Sequence, residues 1–178
     1  MAGSITGLLL AAGEGRRFGM PKALVPGALE RAVGVLRDGG CDTVTVVLGA
    51  AYDEALPLVP AGVAVVRATD WAEGMGASLR AGLAAIVGDA ALVHLVDLPD
   101  VGADVVRRVA GHASTDALAR ASYRGRPGHP VLLGRAHWPG VIASAVGDRG
   151  ARAYLRHHPV LDVPCDDLAS GEDVDVPR

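Results

Sequence analysis

Glycines and cations crowd together in the stretch LLLAAGEGRRFGMPKAL, residues 8–24, directly after an apolar run. Glycines lack a side chain, so the backbone can approach a ligand closely and turn its N–H groups toward an anion. Arg17 and Lys22 add the positive charge that several phosphate oxygens require. The combination predicts a loop that holds a polyphosphate.

Two well-known phosphate-binding loops do not fit this stretch. The P-loop requires Ser or Thr after its lysine, whereas Ala23 follows Lys22 here. The dinucleotide fingerprint G-x-G-x-x-G fails as well, because the spacing of Gly13, Gly15 and Gly19 is one residue too long. The polyphosphate loop therefore belongs to neither of these classes.

A single carboxylate, Asp97, ends the otherwise apolar stretch LVHLVD, residues 92–97. A charge in this position is costly unless it has a partner, and ligands of open α/β sheets bind beyond the carboxyl ends of the strands. The sequence therefore predicts a cation of the ligand site as the partner of Asp97. Nearby, His94 is expected to be a hydrogen-bonded core residue. Asp100 is expected to cap a helix, with support of the site from behind Asp97 as the alternative.

The first loop also carries a family resemblance. The stretch LAAGEGRRFGMPK resembles L-A-A-G-x-G-x-R-[FM]-G-x-x-K, the signature of nucleotidyltransferases related to the molybdenum cofactor guanylyl- and cytidylyltransferases. The resemblance implies that this loop wraps a nucleoside triphosphate, with the arginine and the lysine on its phosphates. The implied nucleotide-binding residues of the loop are Ala11, Ala12, Gly13, Gly15, Arg17 and Lys22.

Two further stretches extend this resemblance toward the middle of the chain. EGMGASLRAGL, residues 73–83, resembles the family's G-M-x-x-S-L-R-x-G, which implies nucleotide contacts for Gly74 and Ser78. DLP, residues 97–99, resembles the family's D-x-P, whose aspartate holds Mg²⁺ on the triphosphate. The resemblance thus implies catalytic roles for Arg17, Lys22 and Asp97.

The later half of the chain resembles the cytidylyltransferase-like branch of the same family. GRPGHPVLLG, GDRGAR and GEDVDVP are similar to G-x-P-x-H-P-V-L, G-D-x-G-A-R and D-I-D-T-P. His129 and Asp148 become candidates for the acceptor side of the site, and Asp173 and Asp175 for a second cation site. The segment between Lys22 and the first helix is shorter than is usual in these relatives.

The resemblance implies a Mg²⁺-dependent transfer of a nucleoside monophosphate onto a phosphate monoester, with molybdopterin as the expected acceptor and pyrophosphate as the product. Ala12 and Pro21 stand where the guanylyl branch has Gly and Asp, which favours CTP over GTP. A molybdoenzyme or chaperone partner is an expectation of the same kind. Two alternatives stay open: an NAD(P)H-dependent oxidoreductase acting on a pyridine dye, as in members of the same branch, and a non-catalytic protein that binds a nucleotide or cofactor.

Strand-length apolar runs alternate with amphipathic helical patterns around these motifs. The alternation predicts a mostly parallel sheet covered on both faces, a three-layer αβα, Rossmann-like fold in one domain spanning residues 1–178. The resemblance makes this fold similar to nucleotide-diphospho-sugar transferases. DALARASYRGRPGHPVLLG, residues 116–134, predicts a small β-hairpin inserted at the edge, and Pro139 is expected to interrupt the next helix.

Composition narrows the partners of this domain. The net charge is -3, so no overall positive field attracts nucleic acid or an anionic membrane. No apolar run reaches the roughly 18 residues of a membrane span, and no basic segment precedes the first apolar run. Cys41 and Cys165 are expected to be small buried hydrophobes. The sequence predicts a cytoplasmic protein that binds neither nucleic acid nor membranes.

Overall fold

A seven-stranded sheet forms the centre of the computed structural model, which describes residues 3–174. The spatial order of the strands is β3-β2-β1-β4-β6-β5-β7. The strands are β1 (Ile5–Ala11), β2 (Thr43–Leu48), β3 (Ala64–Arg67), β4 (Ala90–Leu95), β5 (Leu118–Tyr123), β6 (Arg126–Gly134) and β7 (Leu161–Pro164).

The first four strands are parallel, as the sequence predicts. β1 lies between β2 and β4, and every residue of β1 is buried. Because β1 and β4 run in the same direction, Leu10 lies beside Leu95 and the loops that follow them leave the sheet at one edge. This edge brings the glycine loop next to Asp97.

Helices cover both faces of the sheet, which confirms the three-layer architecture. α1 and α4 pack on one face, whereas α3, α5 and α6 pack on the other. The helices are α1 (Ala28–Asp38), α2 (Tyr52–Ala55), α3 (Met75–Ala85), α4 (Ala103–Ala110), α5 (Trp138–Ser144) and α6 (Arg152–Arg156). Over residues 3–174, none of the helices has both the length and the apolar character needed to cross a bilayer.

The hairpin of β5 and β6 is present but does not lie at the edge of the sheet. β6 pairs antiparallel with β4 and with β5, so the hairpin continues the main sheet. The unpredicted strand β7 pairs parallel with β5 and forms the edge instead. Pro139 lies in the first turn of α5, where its missing N–H costs nothing, so it begins the helix rather than interrupting it.

The segment after β7 folds back toward Asp97. Ser170 donates its backbone N–H and its hydroxyl to Asp100 Oδ2, at 2.7 and 2.5 Å. Gly171 packs against the ring of Tyr123 at a φ of 72°. Val174 then donates its N–H to the carbonyl oxygen of Asp97 at 3.0 Å. Asp100 therefore anchors this segment instead of capping a helix.

His94 lies deep in the core, as predicted, but it is not fully hydrogen-bonded. The residue is 1% exposed, and within residues 3–174 its Nδ1 finds no hydrogen-bond partner. Burial lowers its pKa to about 3, and the neighbouring His129 adds to this shift. Cys41 and Cys165 are buried, as expected, and burial raises the pKa of Cys41 to about 12.

We predict that His94→Leu makes the protein less sensitive to acid. Below pH 6.5 the unfolded chain protonates this histidine and the folded chain does not, so the wild type loses up to about 1.4 kcal/mol of unfolding free energy per pH unit as pH falls toward 3. Urea unfolding between pH 7 and pH 4 measures the slope. His112→Leu, at an exposed position, is the control; an unchanged slope in His94→Leu would contradict the assignment.

Candidate functional site

A cavity of about 410 Å³ opens at the carboxyl edge of β1 and β4. Its walls are the glycine loop after β1, the turn that leads into α3, and the turn after β4. The residues around it include Ala11, Ala12, Gly13, Gly15, Lys22, Trp71, Gly74, Ser78, Asp97 and Asp148. Most of the residues that the resemblance implies for nucleotide binding therefore share one cavity.

The backbone of the glycine loop closes on itself. Gly19 donates its N–H to the carbonyl oxygen of Gly15 at 2.7 Å, and both glycines have positive φ. A Cβ on Gly15 would lie 1.8 Å from the carbonyl oxygen of Met20, so no other residue fits there. A Cβ on Gly13 would meet nothing within 4 Å. The packing of the protein itself therefore does not require glycine at position 13, and a side chain there would enter open space.

Lys22 and Asp97 form an ion pair at the floor of the cavity. The distance from Lys22 Nζ to Asp97 Oδ2 is 2.6 Å, and each side chain is 18% exposed. Lys22 begins a 3₁₀ turn, Lys22–Leu24, that is fixed because Ala23 is buried in the core. Asp97 follows β4 by two residues. The sequence predicts a cationic partner for Asp97, and in the structure Lys22 of the same chain is such a partner.

The start of α3 forms the opposite wall. Gly74 has a φ of 116°, and a Cβ there would lie 2.5 Å from Asp148 Oδ1. Ser78 is buried one turn into α3 and faces the cavity rather than capping the helix. Arg80 faces away and binds Asp70 and Glu73, at 3.1 and 2.9 Å. The glycine at position 74 therefore permits α3 and the loop around residue 148 to meet.

A second cavity of about 290 Å³ adjoins the first. Both are lined by Leu10, Met75, Leu95 and Asp148. His129, Asp148 and Asp173, which the resemblance implied for the acceptor side and for metal, all line this second cavity. The two cavities form one cleft with a compartment on either side of the shared residues.

His129 lies near charges of opposite sign, those of Arg152 and Asp97. Burial lowers its pKa to about 4; Arg152 adds to the decrease, whereas Asp97 opposes it. The imidazole is therefore neutral at pH 7 and adds no charge to the second cavity. Its backbone is fixed because the hydroxyl of Tyr123 donates to the carbonyl oxygen of His129 at 2.8 Å.

Among the predicted site residues that the structure describes, Arg17 is the one that lines neither cavity. Arg17 lies in the glycine loop and is exposed. Asp175 lies outside the described residues. Within residues 3–174, no three His, Cys, Asp or Glu side chains form a group that could hold a metal ion. A metal at Asp97 would therefore need further oxygen ligands, and those of a triphosphate fit the preference of hard divalent cations.

Sequence reasoning missed Trp71, which lines the first cavity. Trp71 packs on the backbone of Gly49, where a Cβ would lie 2.5 Å from the tryptophan side chain. Its position in the loop between β3 and α3, at the ligand-binding edge of the sheet, is the signal that could have found it.

Comparison with known proteins agrees with this geometry. The family model of the MobA-like NTP transferase domain matches residues 7–163. The chain belongs to the MobA-like NTP transferase family. Nucleotidyl transfer is the reaction of this family, and a nucleoside triphosphate is its class of substrate.

Individual relatives carry different names. Nicotine blue oxidoreductase of Paenarthrobacter nicotinovorans is 38% identical over 189 residues, covering 96% of this chain and 92% of that protein. Rv0371c from Mycobacterium tuberculosis H37Rv is 28% identical with a TM-score of 0.81, covering 99% of this chain and 95% of that chain. Its complex with manganese matches at 27% identity and a TM-score of 0.72, covering 91% and 88%.

A third relative supports the fold alone. The nucleotidyl transferase Mth528 from Methanothermobacter thermautotroptrophicus is 24% identical with a TM-score of 0.81, covering 97% of this chain and 92% of that chain. Together with Rv0371c, it confirms the three-layer α/β fold of this chain.

We predict that Gly13→Ala weakens CTP binding about tenfold or more without lowering the melting temperature, because the new methyl group enters space that a phosphate would occupy. Gly15→Ala instead lowers the melting temperature, because its methyl group meets backbone. Gly34→Ala, in open space on α1, is the control for both. Calorimetric titration and thermal melts separate the effects, and unchanged CTP affinity in Gly13→Ala would contradict this placement of the phosphates.

Proposed function

We propose that this protein is a Mg²⁺-dependent cytidylyltransferase that moves CMP from CTP onto a molybdopterin-like phosphate monoester and releases pyrophosphate. The observation that carries the proposal is the Lys22–Asp97 ion pair, which lies in the cavity beside the glycine loop. Each of these two charged groups can exchange its partner for a ligand. Asp97 can bind a metal ion in place of Lys22, and Lys22 can bind a phosphate in place of Asp97.

The reaction needs no activated side-chain nucleophile. A phosphate monoester has a second pKa of about 6, so it is already an anion at neutral pH. Its oxygen attacks the α-phosphorus of CTP, the bond from that phosphorus to the bridging oxygen breaks, and pyrophosphate leaves with the electron pair. The protein has to align two anions and stabilise the departing charge, which positioning and electrostatics can do.

Each part of the cleft has a role in this scheme. The backbone N–H groups around Gly13 and Gly15 bind phosphate or the edge of the base, and Lys22 and Arg17 neutralise the triphosphate and the leaving pyrophosphate. Asp97 would hold the metal ion, with Asp173 as a further ligand or as a group that orients the acceptor. When bound, Mg²⁺ supplies charge neutralisation between the phosphates.

Three observations support this assignment of the metal. Asp97 and Asp173 provide hard oxygen donors, and the backbone hydrogen bond from Val174 to Asp97 brings the segment that contains Asp173 next to Asp97. The manganese complex of Rv0371c is a divalent-metal complex of a related protein.

The preference for CTP rests on Ala12 and Pro21, which differ from the residues of the guanylyl branch at these positions.

An oxidoreductase is the second candidate, because the relative named Nicotine blue oxidoreductase is 38% identical to this chain. That function requires a hydride donor such as NAD(P)H in the same cleft. The loop spacing argues against a dinucleotide, since Gly13, Gly15 and Gly19 do not match the dinucleotide fingerprint. A non-catalytic nucleotide-binding protein is the third outcome that the experiments below distinguish.

We predict that Asp97→Asn keeps the fold and lowers Mg²⁺-dependent pyrophosphate release about 100-fold or more, because the amide cannot balance the charge of a metal ion. The assay supplies CTP, Mg²⁺ and molybdopterin, with a thermal melt of the same preparation. Asp53→Asn, at an exposed position on α2, is the control. Turnover near the wild-type rate in Asp97→Asn would remove this carboxylate from the metal role.

We predict that CTP binds more tightly than GTP and that both bind more tightly than NADPH. The two cations of the loop suit the higher charge of a triphosphate, and the advantage of CTP over NADPH grows with Mg²⁺. Calorimetry of the three ligands, each with Mg²⁺ and with EDTA, measures both effects. Tight, metal-independent binding of NADPH together with its oxidation would favour the oxidoreductase, whereas CTP binding without pyrophosphate release would favour the non-catalytic protein.

A further inference from the structure

Arg80 is an arginine of α3 that binds two separate segments of the chain. Its Nη2 donates to Asp70 Oδ2 at 3.1 Å and to Glu73 Oε2 at 2.9 Å, on the loop between β3 and α3. Its Nη1 donates to the carbonyl oxygen of Ala145, the residue that follows α5. The side chain is 26% exposed, so these bonds are partly withdrawn from water. One guanidinium group therefore joins α3, the loop before it and the end of α5.

The loop before α3 carries one part of the wall of the first cavity. Trp71, which lines that cavity, begins the 3₁₀ turn Trp71–Glu73 and lies between the two carboxylates that Arg80 binds. Asp70 and Glu73 have the same charge and accept from the same guanidinium nitrogen, so their carboxylates lie close together. Without a cation between them, the two carboxylates would repel each other. Arg80 thus stabilises the turn that carries Trp71.

The segment after α5 carries another part of the wall. Asp148, which lines both cavities, follows Ala145 by three residues. The start of α3 meets this segment closely, because a Cβ on Gly76 would lie 2.9 Å from the carbonyl carbon of Ala145. The bond from Arg80 to Ala145 spans this contact and holds the segment against α3.

Arg80 itself is not among the residues that line either cavity. It can therefore affect a ligand of the first cavity only through the two segments that it holds. Small displacements of groups that position a ligand are costly, even when the altered residue lies away from the ligand.

We propose that Arg80 is a positioning residue for the nucleotide, which clamps the turn at Trp71 and the segment at Asp148 together as one wall of the first cavity. The inference rests on the proposed function, because it takes the first cavity as the nucleotide site. It adds a role for the arginine of SLR that requires no contact with the ligand. Lys22 and Asp97 lie on other loops, so their ion pair does not depend on this clamp.

Arg80→Gln tests the clamp, because one neutral amide cannot bind all three partners or balance two carboxylates. We expect CTP with Mg²⁺ to bind about tenfold less tightly in calorimetry. Pyrophosphate release at saturating CTP should change by less than about threefold, because the pair of Lys22 and Asp97 is intact. Arg80→Lys keeps the charge but not the planar fork, so it should recover part of the lost affinity. Wild-type CTP affinity in Arg80→Gln would overturn the inference.

Arg108→Gln is the matched control. Arg108 donates to both carboxylate oxygens of Asp167 and to the carbonyl oxygen of Pro164, and its side chain is 37% exposed. It is not among the residues that line either cavity. Its loss removes a comparable set of bonds, so it reports the effect of lowered stability alone. An equal decrease of CTP affinity in Arg108→Gln would overturn the inference.

Tryptophan fluorescence follows the clamp without any nucleotide. The chain has two tryptophans, and Trp138 is buried, with its indole N–H donating to Leu133. Acrylamide quenching therefore reports mainly on Trp71, and Trp71→Phe gives the contribution of Trp138. We expect Arg80→Gln to raise the quenching constant about twofold, by local opening, and Arg108→Gln to leave it unchanged.

A second variant keeps the test decisive if Arg80→Gln does not fold. Asp70→Asn combined with Glu73→Gln removes the tie from the other side, so it should also raise the quenching constant and weaken CTP binding. Unchanged quenching in these variants would overturn the inference. The quenching is measured without CTP, so failure of the wild type to bind CTP would count against the proposed function alone.

Discussion

The ion pair between Lys22 and Asp97 joins two loops that are far apart in sequence and lie side by side at one edge of the sheet. It can form only because β1 and β4 are parallel neighbours, so that the loops after them emerge together. Both side chains are largely withdrawn from water, which makes either charge expensive to leave without a counterion. The core, the strand order and the fixed turn at Lys22 all serve to hold this pair in the cleft.

The same pair is the basis of the proposed binding of a nucleotide and its metal ion. In the structure, Lys22 and Asp97 neutralise each other. A triphosphate with its metal ion carries both signs of charge, so it can replace each partner with a group of the right sign. Glycines at positions 13 and 74 differ in their surroundings: a Cβ at position 13 would enter open space, whereas the absence of one at position 74 lets α3 meet the loop around Asp148.

Sequence reasoning located the features that depend on local pattern. The glycine loop, the parallel strands β1 to β4 and the carboxylate after β4 follow from periodicity, turn chemistry and the cost of an isolated charge. It did not predict that Asp97 has Lys22 as its partner, because the register of β1 against β4 decides that contact. It also missed β7, whose four residues gain their stability from pairing with β5. The prediction that Asp100 caps a helix was wrong, because Asp100 instead binds the segment around Ser170, which is distant in sequence.

The folding of the chain also creates a second cavity that no single sequence motif indicates. The second cavity combines residues of α3, β4, β6 and the segment before α6, so its lining appears only in three dimensions. GDRGAR contains Arg149 and Arg152, yet the motif alone does not say that they face the same cavity as His129. The hairpin acquires its importance in the same way, since its insertion beside β4 brings His129 to the cleft.

The most direct test of this account is Mn²⁺ binding, measured by electron paramagnetic resonance with and without CTP. If Lys22 and Asp97 neutralise each other until a nucleotide arrives, Mn²⁺ binds weakly alone, and CTP increases its affinity about tenfold or more, by linkage. Asp97→Asn should abolish most of that increase. Equal Mn²⁺ affinity with and without CTP, or full coupling in Asp97→Asn, would contradict the account.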